Sequence, residues 1–378
     1  MPMNGSANDA LQISTFYGML FNVLWILFFI VFFTSLMVWF FRWISFAAEE
    51  ESDSQQSRRA ALTAESSKES SGRAVLWWGL AAFWLLDAVL QAQPLMVTSV
   101  FVHEVLLPAA KDQPQWLRAM MNWGIEIWEQ NPITYNLITV VLQAVIGSLM
   151  VFGRRNRLGT VGLCLGAGWS LVLWVFGEGM GGLWSGGMSF MSGAPGSAFL
   201  YLVCTVMLLL PKNMWQNGQI QRRLRQCFAG FWLLMAILQS LPSAGFWQPG
   251  GLTTLFGNAS SMPQPQFLAK PIELLAMLTF HFPVLWNGVC VGIMLVLSYG
   301  FWKNIDSLWL MIVTGIWLLF AWWMGQDFGV LGGLGTDPNS APVLALLLVA
   351  GKWGIKQATN RKSTRAILSI TNRQLGHR

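Results

Sequence analysis

The chain predicts an all-α fold: a polytopic membrane helix bundle of about nine transmembrane helices, one at the N-terminus followed by two parallel four-helix repeats. Three observations carry that prediction. Over half of the 378 residues are hydrophobic (54%) and only 11% are charged, where a soluble chain would carry about a quarter charged residues. Apolar runs long enough to cross a bilayer as helix recur along the whole length. And one twelve-residue block occurs twice. Phe83-Trp84-Leu85-Leu86-Asp87-Ala88-Val89-Leu90-Gln91-Ala92-Gln93-Pro94 returns as Phe231-Trp232-Leu233-Leu234-Met235-Ala236-Ile237-Leu238-Gln239-Ser240-Leu241-Pro242, with eight of twelve residues identical. Hydrophobicity alone does not select a shared Gln and Pro, so the chain reads as a tandem duplication.

Taken in order, the spans fall at about 16–41, 74–93, 133–152, 159–176, 195–211, 226–242, 283–300, 307–324 and 339–353. The first is too long for a signal-peptide core and has no basic residue before it, so it reads as a retained helix within residues 1–47. Residues 48–73 are rich in Ser, Glu and Arg, with almost no apolar content, and read as a cytoplasmic linker. The first repeat then covers 74–222, the second 223–353, and 354–378 form a basic tail. Placing 42–73, 153–158, 212–225, 301–306 and 352–378 on one side collects 20 of the 23 Lys and Arg residues there. That asymmetry puts the N-terminus outside and the C-terminus in the cytoplasm of an inner (plasma) membrane. The net charge of +6 belongs to these membrane-flanking segments and does not indicate nucleic-acid binding.

The repeat extends beyond its opening block. Gln113-Pro114-Gln115, Pro132 and Asn136 match Gln264-Pro265-Gln266, Pro283 and Asn287; Trp169, Trp174, Gly177 and Gly181 match Trp317, Trp322, Gly325 and Gly329; Ala194-Pro195 matches Ala341-Pro342. Four helices per half leave both halves in the same orientation, as parallel repeats require. Between helices two and three of the first half, Leu117, Met120, Met121, Gly124 and Trp128 share one helical face, with Arg118, Asn122, Glu126 and Glu129 opposite. This is an amphipathic helix on the outer surface, either a cap on the bundle or a lid.

The segments FWLLDAVLQAQPLM (83–96), LLPAAKDQPQWL (106–117) and FGEGMGGLWSGG (176–187), with GAPG at 193–196, resemble a family of uncharacterised multi-pass bacterial membrane proteins. The resemblance is best over 75–211. It implies the same boundaries and brings no activity with it.

Chemistry is sparse. Gly177-Glu178-Gly179-Met180-Gly181-Gly182 contains a G-x-G-x-x-G string, but it follows a membrane helix rather than a strand and so is no dinucleotide fingerprint. Its value is conformational, and its counterpart is the Gly-rich loop at 325–333. Each loop leads into a short apolar helix, and short Gly/Pro-interrupted segments at matching places in two halves point to a transporter-type site. Asp87 is the carboxylate inside a confident span, a costly placement that marks a functional site by default. Gln91 follows one turn later, and Gln239 is its mate in the second half. With Glu178 and Asp327 at the rim, these five form the candidate ligand site, expected to open outward between the halves. The alternative is that Asp87 and the glutamines only hold helices together, in a scaffold or accessory subunit of a membrane complex.

His103, Glu104 and His281 are the weaker candidates for metal, and nine of the 19 methionines lie in or beside outward segments. Thioether with imidazole suits copper. Yet there is no H-x-H or cysteine pair, and Met is common in packed interfaces. No cofactor is indicated otherwise. No Ser-His-Asp order, H-E-x-x-H or Walker string indicates catalysis. Cys164, Cys204, Cys227 and Cys290 fall in apolar helices and predict no disulfide. The partners expected are the lipid bilayer, a small ligand or ion, and other membrane subunits. The reading is a transporter-like or small-ligand-binding membrane protein; scaffold is the alternative, and a copper-handling or enzymatic role the third.

Overall fold

Apolar stretches this long can satisfy their backbone in lipid only as helix, and among the described residues the computed structural model is all helix and turn. It describes residues 7–46, 70–303 and 308–352; most of the linker and the basic tail lie outside them. The chain divides into two units, 1–69 and 70–378. Among its described residues the first contains one helix, α1 (Ala7–Phe46). Side chains such as Leu24, Ile26, Phe28, Ile30 and Phe33 are exposed around its circumference, the pattern of a helix that meets lipid on most sides.

The first helix of the second unit starts three residues earlier than the sequence predicts. Helix α2 (Ser71–Gln91) takes in Ser71, Gly72 and Arg73, which the composition had assigned to the linker. Arg73 is buried, donates to the Leu208 carbonyl at 3.2 Å and sits over the Trp77 ring. A guanidinium with a partner and an aromatic face can enter a helix that hydropathy alone would begin later. Proline then punctuates the chain, because it suits a first helical turn and disfavours helix before it. After a short helical stretch over 99–111, α3 (Gln115–Gln130) starts behind Pro114, and α4 (Pro132–Gly153) starts on Pro132 with Asn131 accepting from Thr134 N. Helix α5 (Arg157–Val172) widens into a π turn over Leu173–Gly177. An irregular loop follows, then α6 (Ser197–Leu209).

The second half runs through α7 (Gln219–Ser240), α8 (Gly251–Ser261), α9 (Gln266–His281), α10 (Pro283–Trp302) and α11 (Leu308–Met324) to α12 (Ser340–Lys352). Its first helix begins at Gln219, four residues before the boundary expected at 223. Each of the nine expected spans falls on a helix. Five helical segments are long and apolar enough to cross a membrane: Asn8–Met37, Ser71–Gln91, Pro132–Gly153, Arg157–Gly177 and Pro283–Trp302. Helices α6, α11 and α12 are apolar but shorter. Helix α7 has the length, but Arg222, Arg223 and Arg225 in its opening turns lower its hydropathy.

Packing within the unit follows matching pairs, α2 against α4 and α7 against α10. The same hydrogen bonds join each pair. Gln91 Nε2 donates to Asn136 Oδ1 at 2.6 Å, and Asn136 Nδ2 donates back to the Gln91 carbonyl at 3.1 Å. Gln239 Nε2 donates to Asn287 Oδ1 at 2.9 Å, and Asn287 Nδ2 to the Gln239 carbonyl at 3.4 Å. All four side chains are buried, where an unpartnered amide would cost several kcal/mol in an apolar medium. A continuous apolar core runs through both halves, with Trp84 and Trp232 fully buried in it.

Candidate functional site

The C-terminal end of α2 borders a cavity of about 190 Å³, walled by α2, the 99–111 stretch, α3, α4, α5 and α6. Asp87 reaches it from α2, Gln143 from α4, Trp169 from α5, Tyr201 from α6, and Gly124 and Trp128 from α3. The amphipathic helix is therefore a packed cap. Leu117, Met121 and Ile125 seat it on Val102, Ala110 and Val175, and Gly124 lets it approach Phe176 closely.

The Gly-rich loop places Glu178. Gly196 has φ +100°, and a Cβ there would overlap Glu178 Oε2; Gly181 has φ +65°, and a Cβ there would overlap the Pro195 carbonyl. Both positions therefore require glycine. So folded, Glu178 Oε1 accepts from Ser197 Oγ at 2.5 Å and from Ala198 N at 3.0 Å, capping α6. Gln326 does the corresponding work in the second half: its Oε1 accepts from Ala341 N at 3.1 Å at the start of α12. The N-termini of α6 and α12 are thus capped by the protein's own side chains. By their caps, Ser197-Ala198 and Ser340-Ala341 take the same place at a helix start, whereas Pro195 lies in the loop and Pro342 in the first turn of α12.

Asp87 is fully buried and accepts from Tyr201 Oη at 3.1 Å. Asp337, at the cavity wall, accepts from Thr336 Oγ1 at 3.1 Å and from Asn339 N at 2.7 Å. Burial, with Asp337 nearby as the next cause, pushes the Glu178 carboxyl up to about 8. Four buried polar atoms on residues of the cavity wall have no hydrogen-bond partner: Gln143 Oε1, Glu178 Oε2, Trp128 Nε1 and Trp169 Nε1. Native proteins leave few such atoms, and each calls for a reason.

Of the five candidate residues, the cavity brings together Asp87, Gln91 and Glu178. Gln91 has already committed its amide nitrogen to Asn136. Gln239 is elsewhere and fully engaged, because besides Asn287 it accepts from Ser189 Oγ at 2.5 Å. Asp327 lines a separate polar cleft with Lys111, Arg118, Asn258 and Asn339, where burial raises its carboxyl to about 6. The cavity that gathers three of the five is walled by the first half with Thr336 and Asp337 from the second, whereas the cleft that holds Asp327 is lined by both halves. His103 and Glu104 are exposed on the 99–111 stretch, and His281 is exposed and hydrogen-bonded to the Met277 carbonyl at 2.8 Å. Among the described residues no three His, Cys, Asp or Glu side chains assemble as metal ligands, so these three do not form a shared centre.

Sequence reasoning missed Gln143, Tyr201, Trp128, Trp169 and Asp337. Gln143 was within reach: it is a polar residue in an apolar span whose repeat position holds Met294, just as Asp87 faces Met235. No family model, curated protein or solved structure matches the chain.

Proposed function

We propose that the chain is a bacterial plasma-membrane protein built on two parallel four-helix repeats, and that the cavity of the first is an outward-facing site for a small ligand, in a transporter-like or ligand-binding role. The matched Gln–Asn pairs and the matched Glu178 and Gln326 caps support the repeat. The distribution of Lys and Arg supports the orientation, which turns the Asp87 end of α2 outward.

The observation that carries the site is the set of four unpartnered polar atoms around Asp87. The second half shows the contrast. At the positions matching Asp87, Thr139, Gln143 and Tyr201 it holds Met235, Cys290, Met294 and Leu344, all buried in the apolar core. A purely structural bundle has reason to fill such a space, since filling removes desolvated polar groups at no loss of packing. The second half replaced the carboxylate and the amide with apolar side chains, although Trp317, which matches Trp169, also has an unpartnered indole N–H; the first half kept a polar cavity.

The test uses native chemistry. Thr139→Cys places in the cavity the residue that the second half already holds at Cys290. With the exposed Cys164 and Cys227 changed to Ser, a small neutral methanethiosulfonate should modify the thiol introduced by Thr139→Cys rapidly and leave Cys290 unmodified. Equal, slow reaction at both positions would remove the site and favour the scaffold reading.

A further inference from the structure

We infer that the cavity receives a protonated primary or secondary amine carried on an apolar body about one ring in size; this rests on the site reading above. Every charged residue on its wall is acidic: Asp87, Glu178 and Asp337, from three different elements. Among the lining residues there is no Lys, Arg or His to neutralise them. Carboxylates alone would not make a site, but Gln143 is 98% buried and presents an unpartnered acceptor on the same wall. Gln143 Oε1 and Glu178 Oε2 both lack a hydrogen-bond partner, and a cation beside Glu178 favours its ionised form over the protonated one. An ammonium N–H supplies hydrogens and positive charge together, and such charge-assisted bonds are the strong ones. A quaternary ammonium would answer the charge but not these two acceptors.

The rest of the wall fits the remainder of the molecule. Phe101, Trp128, Trp169 and Phe176 surround the space, and aromatic faces attract both an apolar ring and a desolvated cation. The unpartnered indole N–H groups of Trp128 and Trp169 leave room for one acceptor oxygen on the ligand body. The second half holds Met235 and Met294 where the first holds Asp87 and Gln143, a joint replacement expected if those two serve one bound species.

The experiment uses the full chain in detergent with four probes of one shape: phenethylamine, its N-trimethyl derivative, phenethyl alcohol and phenylacetate. Each is assayed for protection of the thiol introduced by Thr139→Cys against the neutral reagent, and for a rise in melting temperature by ligand linkage. Phenethylamine should protect and stabilise, and the other three should do neither. Aminoethyl methanethiosulfonate should react at the same thiol about tenfold or more faster than the sulfonatoethyl reagent, each relative to its rate with free cysteine. Glu178→Gln should weaken protection by about tenfold or more; it keeps the Oε1 cap, so it serves even if Asp87→Asn fails to fold. Equal protection by the alcohol, protection by phenylacetate, or no charge preference among the reagents overturns the cation. Equal protection by the trimethyl derivative overturns the need for N–H. No protection by any probe, with the thiol still reactive, overturns the amine and leaves the site standing; an unreactive thiol removes the site itself.

Discussion

Replacing Gln143 by Met should make the protein more stable, contrary to the usual effect of a core substitution. Gln143 is 2% exposed, and its Oε1 has no partner. A buried acceptor in that state costs about 1–3 kcal/mol relative to a side chain that needs no hydrogen bond. Met has nearly the same length and volume, so the change leaves little cavity or overpacking cost. On the proposed repeat the matching residue of α10 is Met294, which is fully buried. The expected gain is therefore about 1–3 kcal/mol, or a rise of several degrees at ~2–4 °C per kcal/mol for a large domain. Thermal unfolding can be followed with a thiol-reactive dye at the buried Cys204 and Cys290, once the exposed Cys164 and Cys227 are changed to Ser. The reciprocal Met294→Gln should lower the melting temperature. A fall with Gln143→Met would refute the reasoning, because it would mean that the amide already has a stabilising partner.

Three other outcomes are expected. Gly196→Ala should destabilise by ~1–3 kcal/mol, since it forces a side chain to φ +100° and against the Glu178 cap; chemical denaturation measures it, and an unchanged midpoint would show that the loop can relax. Glu178 should make stability fall as pH rises from about 4.5 toward about 8, because over that window the folded carboxyl holds a proton that the unfolded one has lost; Glu178→Gln should flatten the melting-temperature profile across that range, and an identical profile would reject a raised Glu178. Reporter fusions after Gly153 and Lys212 should read cytoplasm and fusions after Asn131 and Ala244 the opposite side, and any one reversal breaks the proposed topology.

The helices were legible in the sequence because apolar runs and prolines act locally. Pro114, Pro132, Pro265 and Pro283 each mark a helix start where the chain places one. Boundaries failed where a side chain found a distant partner, as Arg73 did at Leu208. The site was half legible. Asp87 and Glu178 stood out by charge and by a glycine loop, and both line the cavity. Tyr201 and Trp169 are ordinary residues of apolar helices, and Trp128 of an amphipathic one, until tertiary packing brings them together. Gln239 misled for a physical reason: a buried amide looks the same in sequence whether its partner is a ligand or, as here, Asn287 and Ser189.

The loop that follows Glu178 sets the order in which the chain can be completed. Ser189, Phe190 and Met191 are fully buried, yet most of what buries them is made later. Phe190 packs on Trp232 at 5.0 Å between ring centroids, and Ser189 donates to Gln239. Gln326 Nε2 donates to the Phe190 carbonyl at 2.9 Å, and Ser340 Oγ donates to the Gly193 carbonyl. A ribosome delivers residues 188–194 before any of these partners exist. The first half therefore leaves synthesis with an exposed aromatic and open carbonyls, and it closes only when the start of α12 arrives. Chains cut in the turn before α7 should be cleared by membrane quality control rather than accumulate as a stable half. Supplying 219–378 as a separate polypeptide in the same membrane should rescue them, since what the first half lacks is a surface to seal against and not a covalent link.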